Sequence, residues 1–154
     1  MDPASSSSSA TEATVAGLLR ESFAVLASEL PPAWDRFCSY LDGCAVEIDV
    51  DGEVFTIYVA GRAAAVADAS NASPHARIGT SRRTIGDVLD ARLSVRDAVM
   101  RDELQVVAPL AMTTRLYEGL LAYVHGGVRC PSFPMLLKRF RAMPARPAPE
   151  PPSP

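Results

Sequence analysis

Few side chains in this sequence could do chemistry, and those that could are scattered. The two histidines, His75 and His125, fall in a loop and at a helix end, with no carboxylate or nucleophile partner beside either one in sequence. At a helix end the imidazolium of His125 meets the carbonyl pole of the dipole, so capping is its expected role. Three cysteines, Cys38, Cys44 and Cys130, cannot all pair within the chain, and none stands in a Cys-x-x-Cys pair or at metal-ligand distance from a histidine. Free thiols in a reducing compartment are expected, with Cys130 before Pro131 the candidate for reactivity and partial burial the commoner state of such a cysteine. Were the protein a cofactor-free enzyme of the isomerase or cyclase type, in a small-molecule or natural-product pathway, Tyr117, His125 or Cys130 would supply its acid, base or nucleophile. The pair Gly126-Gly127 follows a helical pattern, whereas a phosphate cradle precedes a helix, so it reads as a helix stop. No catalytic set, metal site or cofactor is expected.

Positioning any of these groups requires elements, and the apolar pattern supplies them. Val15, Leu18, Leu19, Phe23, Leu26 and Leu30 recur at helical spacing up to Pro31-Pro32, which stops that helix. Pro32 can open a second helix with Trp34, Phe37, Tyr40 and Leu41 on its apolar side, closed by Gly43. The period then falls to two: Val46, Ile48 and Val50, then Phe55, Ile57 and Val59, flank Asp51-Gly52, a strong hairpin signal. Gly61-Arg62 turns into an alanine-rich strand from Ala63 to Asp68, and a loop around Asn71 to Pro74 leads to a strand from Ala76 to Thr80.

Ser81 or Thr84 can cap a short helix through Leu89, and Ser94 with Asp97 repeats the device before Val95, Ala98 and Val99. Leu104, Val106 and Ala108 alternate as a fifth strand. Pro109 introduces a helix through Val124, ending at Gly126-Gly127, with Leu116, Leu120, Val124, Tyr117 and Leu121 as its buried side. A last short helix, Phe133 to Phe140, carries Leu136 and Leu137 on one side and Lys138, Arg139 and Arg141 on the other; that basic side could rest transiently on an anionic membrane surface. Strands joined by hairpins and followed by helices make an α+β domain.

Composition narrows the class. At 154 residues with 48% hydrophobic content, the chain fits one domain with its own core, and a net charge of -3 gives no general pull toward nucleic acid. Lys138 is the only lysine among 15 basic residues, and this arginine bias together with abundant alanine and proline points to a high-GC, bacterial coding sequence. Residues 1–10 are serine-rich and residues 144–154 proline-rich; both are expected to be disordered tails around a domain at 11–143, with helices at 11–42 and the sheet and further helices at 44–143. The proline-rich stretch leaves open a protein-interaction module, with its partner unknown. With neither a secretory signal pattern at the N-terminus nor an apolar run of about 20 residues, the expected location is the cytoplasm.

The hairpin AVEIDVDGEVFTIYVAG and the segments ARIGTSRRTIGDVL, LSVRDAVMRDELQVVAP and RLYEGLLAYVHGG resemble the sterol carrier protein 2 family, closest to its bacterial single-domain members, over roughly Cys44 to Met143. The resemblance implies a five-stranded, mostly antiparallel sheet with helices packed on one face, enclosing an apolar tunnel. It implies non-catalytic binding and transport of a lipid or other elongated apolar ligand, such as a fatty acid, acyl-CoA or sterol-like molecule, without metal or cofactor. Transferred to this sequence, the tunnel would be lined by Phe55, Ile57, Val99, Leu104, Val106, Leu116, Tyr117, Leu120 and Phe133. Two departures stand out. The family often has glycine just before and just after its fifth strand, where this chain has Arg101-Asp102 and Ala108-Pro109, and the peroxisomal tripeptide of eukaryotic members is replaced by Pro-Pro-Ser-Pro.

Overall fold

A computed structural model describes residues 13–144. The expected serine-rich tail, and the proline-rich tail after Pro144, lie outside the described residues. Helices α1 (Val15–Glu29) and α2 (Pro31–Leu41) precede strands β1 (Ala45–Val50), β2 (Glu53–Ala60), β3 (Ala63–Ala67) and β4 (Ala76–Thr80). Then follow α3 (Arg82–Leu89), α4 (Val95–Met100), β5 (Leu104–Val107), α5 (Leu110–Gly127) and α6 (Phe133–Ala142).

The strands form one open sheet in the order β3-β2-β1-β4-β5, antiparallel except where β1 meets β4. Asp51 and Gly52 hold φ +51 and +88, the pair of positive angles a two-residue hairpin turn needs. The parallel pair arises because the chain leaves β3 at one edge and crosses two strands before laying down β4. Its connection is fastened to the outer face of the sheet: Thr56 Oγ1 donates to the Ala69 carbonyl (2.8 Å) and the Asn71 N–H to Glu47 Oε2 (3.0 Å). The opposite face points Val46, Ile48, Phe55, Ile57, Ile78 and Leu104 toward the helices, as the register requires. Asp102, just before the fifth strand, takes φ +56, a left-handed turn that aspartate tolerates.

The N-terminal helices are bound tightly to this sheet. Thr14 Oγ1 accepts the Gly17 N–H (2.9 Å), and the Glu53 carboxylate, at the start of β2, accepts the N–H groups of Val15 (3.1 Å) and Ala16 (2.9 Å). A carboxylate at the positive end of a helix dipole satisfies donors that otherwise lack partners. Both Pro31 and Pro32 occupy the first turn of α2, so the second helix starts one residue earlier than expected, where a missing N–H costs nothing. At its other end Arg115 of α5 donates to the carbonyls of Tyr40 and Asp42, both at 2.9 Å.

Helix α5 refines two expectations. It ends at Gly126-Gly127 as expected, with the pair inside its last turn rather than beyond it. A Cβ on Gly126 would sit 2.8 Å from both Ala33 Cβ and Leu26 Cδ1, and one on Gly127 would sit 2.6 Å from the Phe133 ring. These glycines are sites of close approach. The buried side is also rotated from the expected one: Met112, Gly119, Ala122 and Gly126 face α2 and α1, whereas Tyr117 is exposed. At about 100° per residue, the buried arc is centred between the small residues and Leu116.

These contacts set opposite outcomes for two glycine-to-alanine changes. Gly126→Ala should lower stability by about 1–2 kcal/mol, because overpacking against the immobile Ala33 Cβ outweighs the roughly 1 kcal/mol gained in helix propensity. Gly86→Ala in α3, where a Cβ meets nothing within 4 Å, should instead raise it by up to about 1 kcal/mol; thermal melts of both variants check the pair. Glu53→Ala should cost about 1–2 kcal/mol and speed hydrogen exchange selectively in the first turn of α1.

Candidate functional site

Between the inner face of the sheet and the helices lies a cavity of about 210 Å³. Val46, Ile48, Val50, Phe55, Ile57 and Ile78 form its floor. Around it stand Leu18, Leu19 and Phe23 of α1, Phe37 and Leu41 of α2, and Ile85, Val88 and Leu89 of α3. Helix α5 adds Leu116, Leu120, Tyr123 and Val124, and α6 adds Phe133, Leu136, Leu137 and Phe140. Among the described residues no charged side chain is on the wall, and its polar groups come from Ser22, Thr80, Thr84 and Tyr123.

At one part of the wall, Phe23, Phe37, Tyr123 and Phe133 form an aromatic cluster with ring centroids 5.2 to 6.1 Å apart. The Tyr123 hydroxyl is 2.7 Å from Ser22 Oγ, which in turn donates to the Leu19 carbonyl at 2.7 Å. Burial pushes the Tyr123 phenol up to about 12, with the Ser22 hydrogen bond opposing the shift. The α6 side is fastened by charge at its rim: Arg139 pairs with Glu21 of α1, and Arg141 with Asp90 just after α3. The neighbouring Arg92 (2.7 Å) and Arg141 hold the Asp90 carboxyl below the usual carboxylate range. Two of the three cations expected to face a membrane are therefore engaged with carboxylates.

Of the residues transferred from the family resemblance, the cavity brings together Phe55, Ile57, Leu104, Leu116, Leu120 and Phe133. Val99, Val106 and Tyr117 are not on it. Val99 is 39% exposed because the short α4 packs inward through Val95 and Ala98 instead. Tyr117, 38% exposed, falls outside the rotated buried arc of α5. Val106 faces the core opposite Ile78 but is half-buried beyond the cavity, against the edge of the sheet.

The groups with chemical potential do not converge on the cavity. Cys130 is buried away from its wall, and burial with the nearby Glu29 raises its thiol pKa, which disfavours the nucleophilic thiolate. Cys38 is buried too, and desolvation, with Asp35 and Asp42, pushes it up to about 11. His125 is exposed on α5. His75 has a structural use: its Nδ1 accepts the Ala45 N–H at 2.9 Å, at the start of β1. Among the described residues, no three His, Cys, Asp or Glu side chains gather as a metal ion would require.

Ser22 and Tyr123 are wall residues that apolar patterning overlooks. A signal exists for both: Tyr123 is seven residues after Leu116 and three after Leu120, and Ser22 occupies the helical slot between Leu18 and Leu26. Helices α1 and α2, which lie before the segment resembling the family, supply much of the wall.

No family model and no curated protein matches the sequence. The structure is nevertheless similar to solved ones. One is a UbiJ-SCP2 ubiquinone synthesis protein, at 16% identity and a TM-score of 0.53, covering 70% of this chain and 88% of that one. Another is sterol carrier protein 2, at 14% identity and a TM-score of 0.50, covering 71% of this chain and 95% of that one. At these identities the likeness shows the fold: an α+β domain on a five-stranded sheet, that of sterol carrier protein 2.

The Tyr123 environment has a pH signature. Its folded pKa lies above the ordinary 10.0, so its share of stability is complete below pH 10 and is lost as pH rises through about 12. Melting temperatures recorded across that window should fall more steeply for the native chain than for Tyr123→Phe. Parallel curves would contradict the buried setting of the phenol.

Proposed function

We propose that this chain, built on the sterol carrier protein 2 fold, binds an elongated apolar molecule such as a fatty acyl chain in its cavity and carries it shielded from water. The carrying observation is the 210 Å³ apolar cavity, whose wall has no charged side chain among the described residues. Protein interiors are close-packed, and an apolar void of about 150 Å³ already accepts benzene. A guest that covers the unpacked apolar wall gains about 0.8 kcal/mol for each methylene it buries.

Tyr117, His125 and Cys130 stand off the cavity, which favours binding over a cofactor-free isomerase or cyclase using those groups. Delivery at an anionic membrane surface fits this reading if headgroups displace Glu21 and Asp90 from Arg139 and Arg141 as α6 approaches. The void is smaller than the roughly 300–1,000 Å³ of sites for drug-sized ligands. A longer guest therefore has to spread the helices or leave its head outside.

Native mass spectrometry of gently purified protein should show a co-purified lipid-sized adduct. In dye displacement, affinity should rise with acyl chain length and level off once the cavity is full. Leu120→Trp, which puts bulk on the wall, should weaken binding at least tenfold while leaving the melting temperature unchanged or higher. Unaltered binding in that variant would place the ligand elsewhere, and the absence of both adduct and displacement would refute the carrier reading.

A further inference from the structure

The Tyr123 and Ser22 hydroxyls on the wall have their protons committed, and this decides what a guest can offer them. Ser22 has one hydroxyl proton and gives it to the Leu19 carbonyl, while its oxygen lies 2.7 Å from the Tyr123 hydroxyl. Two protons thus serve three oxygens. A single arrangement uses both: Tyr123 donates to Ser22, and Ser22 donates to Leu19. Thr80 Oγ1 gives its proton to the Glu103 carbonyl at 3.0 Å. The Thr84 hydroxyl lies 2.9 Å from Ser81 Oγ, where either oxygen can donate, and it stands apart from the Tyr123–Ser22 pair on α5 and α1. At the Tyr123–Ser22 pair the wall then presents an acceptor lone pair and no spare donor.

We infer that the cavity discriminates by hydrogen-bonding polarity, taking an apolar molecule that carries a hydroxyl in preference to acceptor-only analogues, with Tyr123 and Ser22 as the specificity-determining pair. This rests on the carrier reading above. A guest hydroxyl donates to the free lone pair of Tyr123, and the local count of hydrogen bonds rises from two to three. An ether or ester can be met only by taking a proton from the relay: Tyr123 donates to the guest instead of to Ser22, or Ser22 turns from Leu19 to Tyr123 as Tyr123 turns to the guest. One internal hydrogen bond is lost either way and the count stays at two. A carboxylate fares worse, because the wall holds no cation to offset its desolvation. One net neutral hydrogen bond corresponds to a preference of roughly fivefold.

The test uses the full chain and three probes of similar size, 1-decanol, decyl methyl ether and undecane, each displacing a bound fluorophore. The native protein should bind decanol about fivefold tighter than the ether. Tyr123→Phe and Ser22→Ala should both abolish the preference, from opposite directions. In Tyr123→Phe decanol weakens to the level of the ether, because the acceptor is gone. In Ser22→Ala the ether strengthens to the level of decanol, because the phenol proton is freed to donate. Equal binding of decanol and ether by the native protein would overturn this inference and leave the carrier reading standing, as would weakened ether binding in Ser22→Ala. Failure of all three probes to displace the fluorophore would remove the carrier reading and this inference with it. Should Tyr123→Phe not fold, the Ser22→Ala result decides alone.

Discussion

Helix α5 can lie against α2 only because Gly119 and Gly126 bring no side chains to the contact. A Cβ on Gly119 would stand 3.0 Å from Leu41 Cγ, and one on Gly126 would collide with Ala33 and Leu26. That close seat fixes the rotation of α5. With its small residues turned to α2, the larger Leu116, Leu120, Tyr123 and Val124 are aimed over the sheet, where they stand around a void instead of filling it. Arg115 secures the same contact from the side, through the last carbonyls of α2.

The opposite wall depends on a second anchor of different chemistry. Glu53 reaches from the first residue of β2 to the unpaired N–H groups of α1, joining a helix to a strand begun 24 residues after its own last residue, Glu29. Its position after the Asp51-Gly52 turn gives it a fixed register opposite Val50. The hairpin turn therefore sets where the helix begins, and through the helix where Leu18, Ser22 and Phe23 face.

How much of this is legible in the sequence depends on how strongly each feature writes itself into hydropathy. The β1–β2 hairpin is plain because two runs of period two bracket a turn that demands positive φ. The helix caps at Ser81 and Ser94 are equally plain, since a serine side chain before an apolar run satisfies orphan N–H groups, and both accept as expected, from Thr84 and Asp97. The orientation of α5 is not, because glycine and alanine carry weak hydropathy and the eye follows Tyr117 to the wrong side. The cavity itself leaves no trace, since apolar residues around a void have the same spacing as apolar residues in a solid core. Phe55, Ile57, Leu104, Leu116, Leu120 and Phe133 point inward in either case. Ser22 and Tyr123 escape notice for a related reason: their partner in each case is about a hundred residues away, and only folding brings the two oxygens together.

The ionic contacts of α6 make one side of the cavity sensitive to salt. Glu21 and Glu29 of α1 meet Arg139 and the Ser132 N–H near the other end of the described chain, so the first and last helices close the same side of the cavity. Sheet and α5, from the middle of the chain, make the opposite side. The Arg139–Glu21 and Arg141–Asp90 pairs that hold this side are partly exposed, so ionic strength screens them and loosens the α6 seam without touching the apolar floor laid by the sheet.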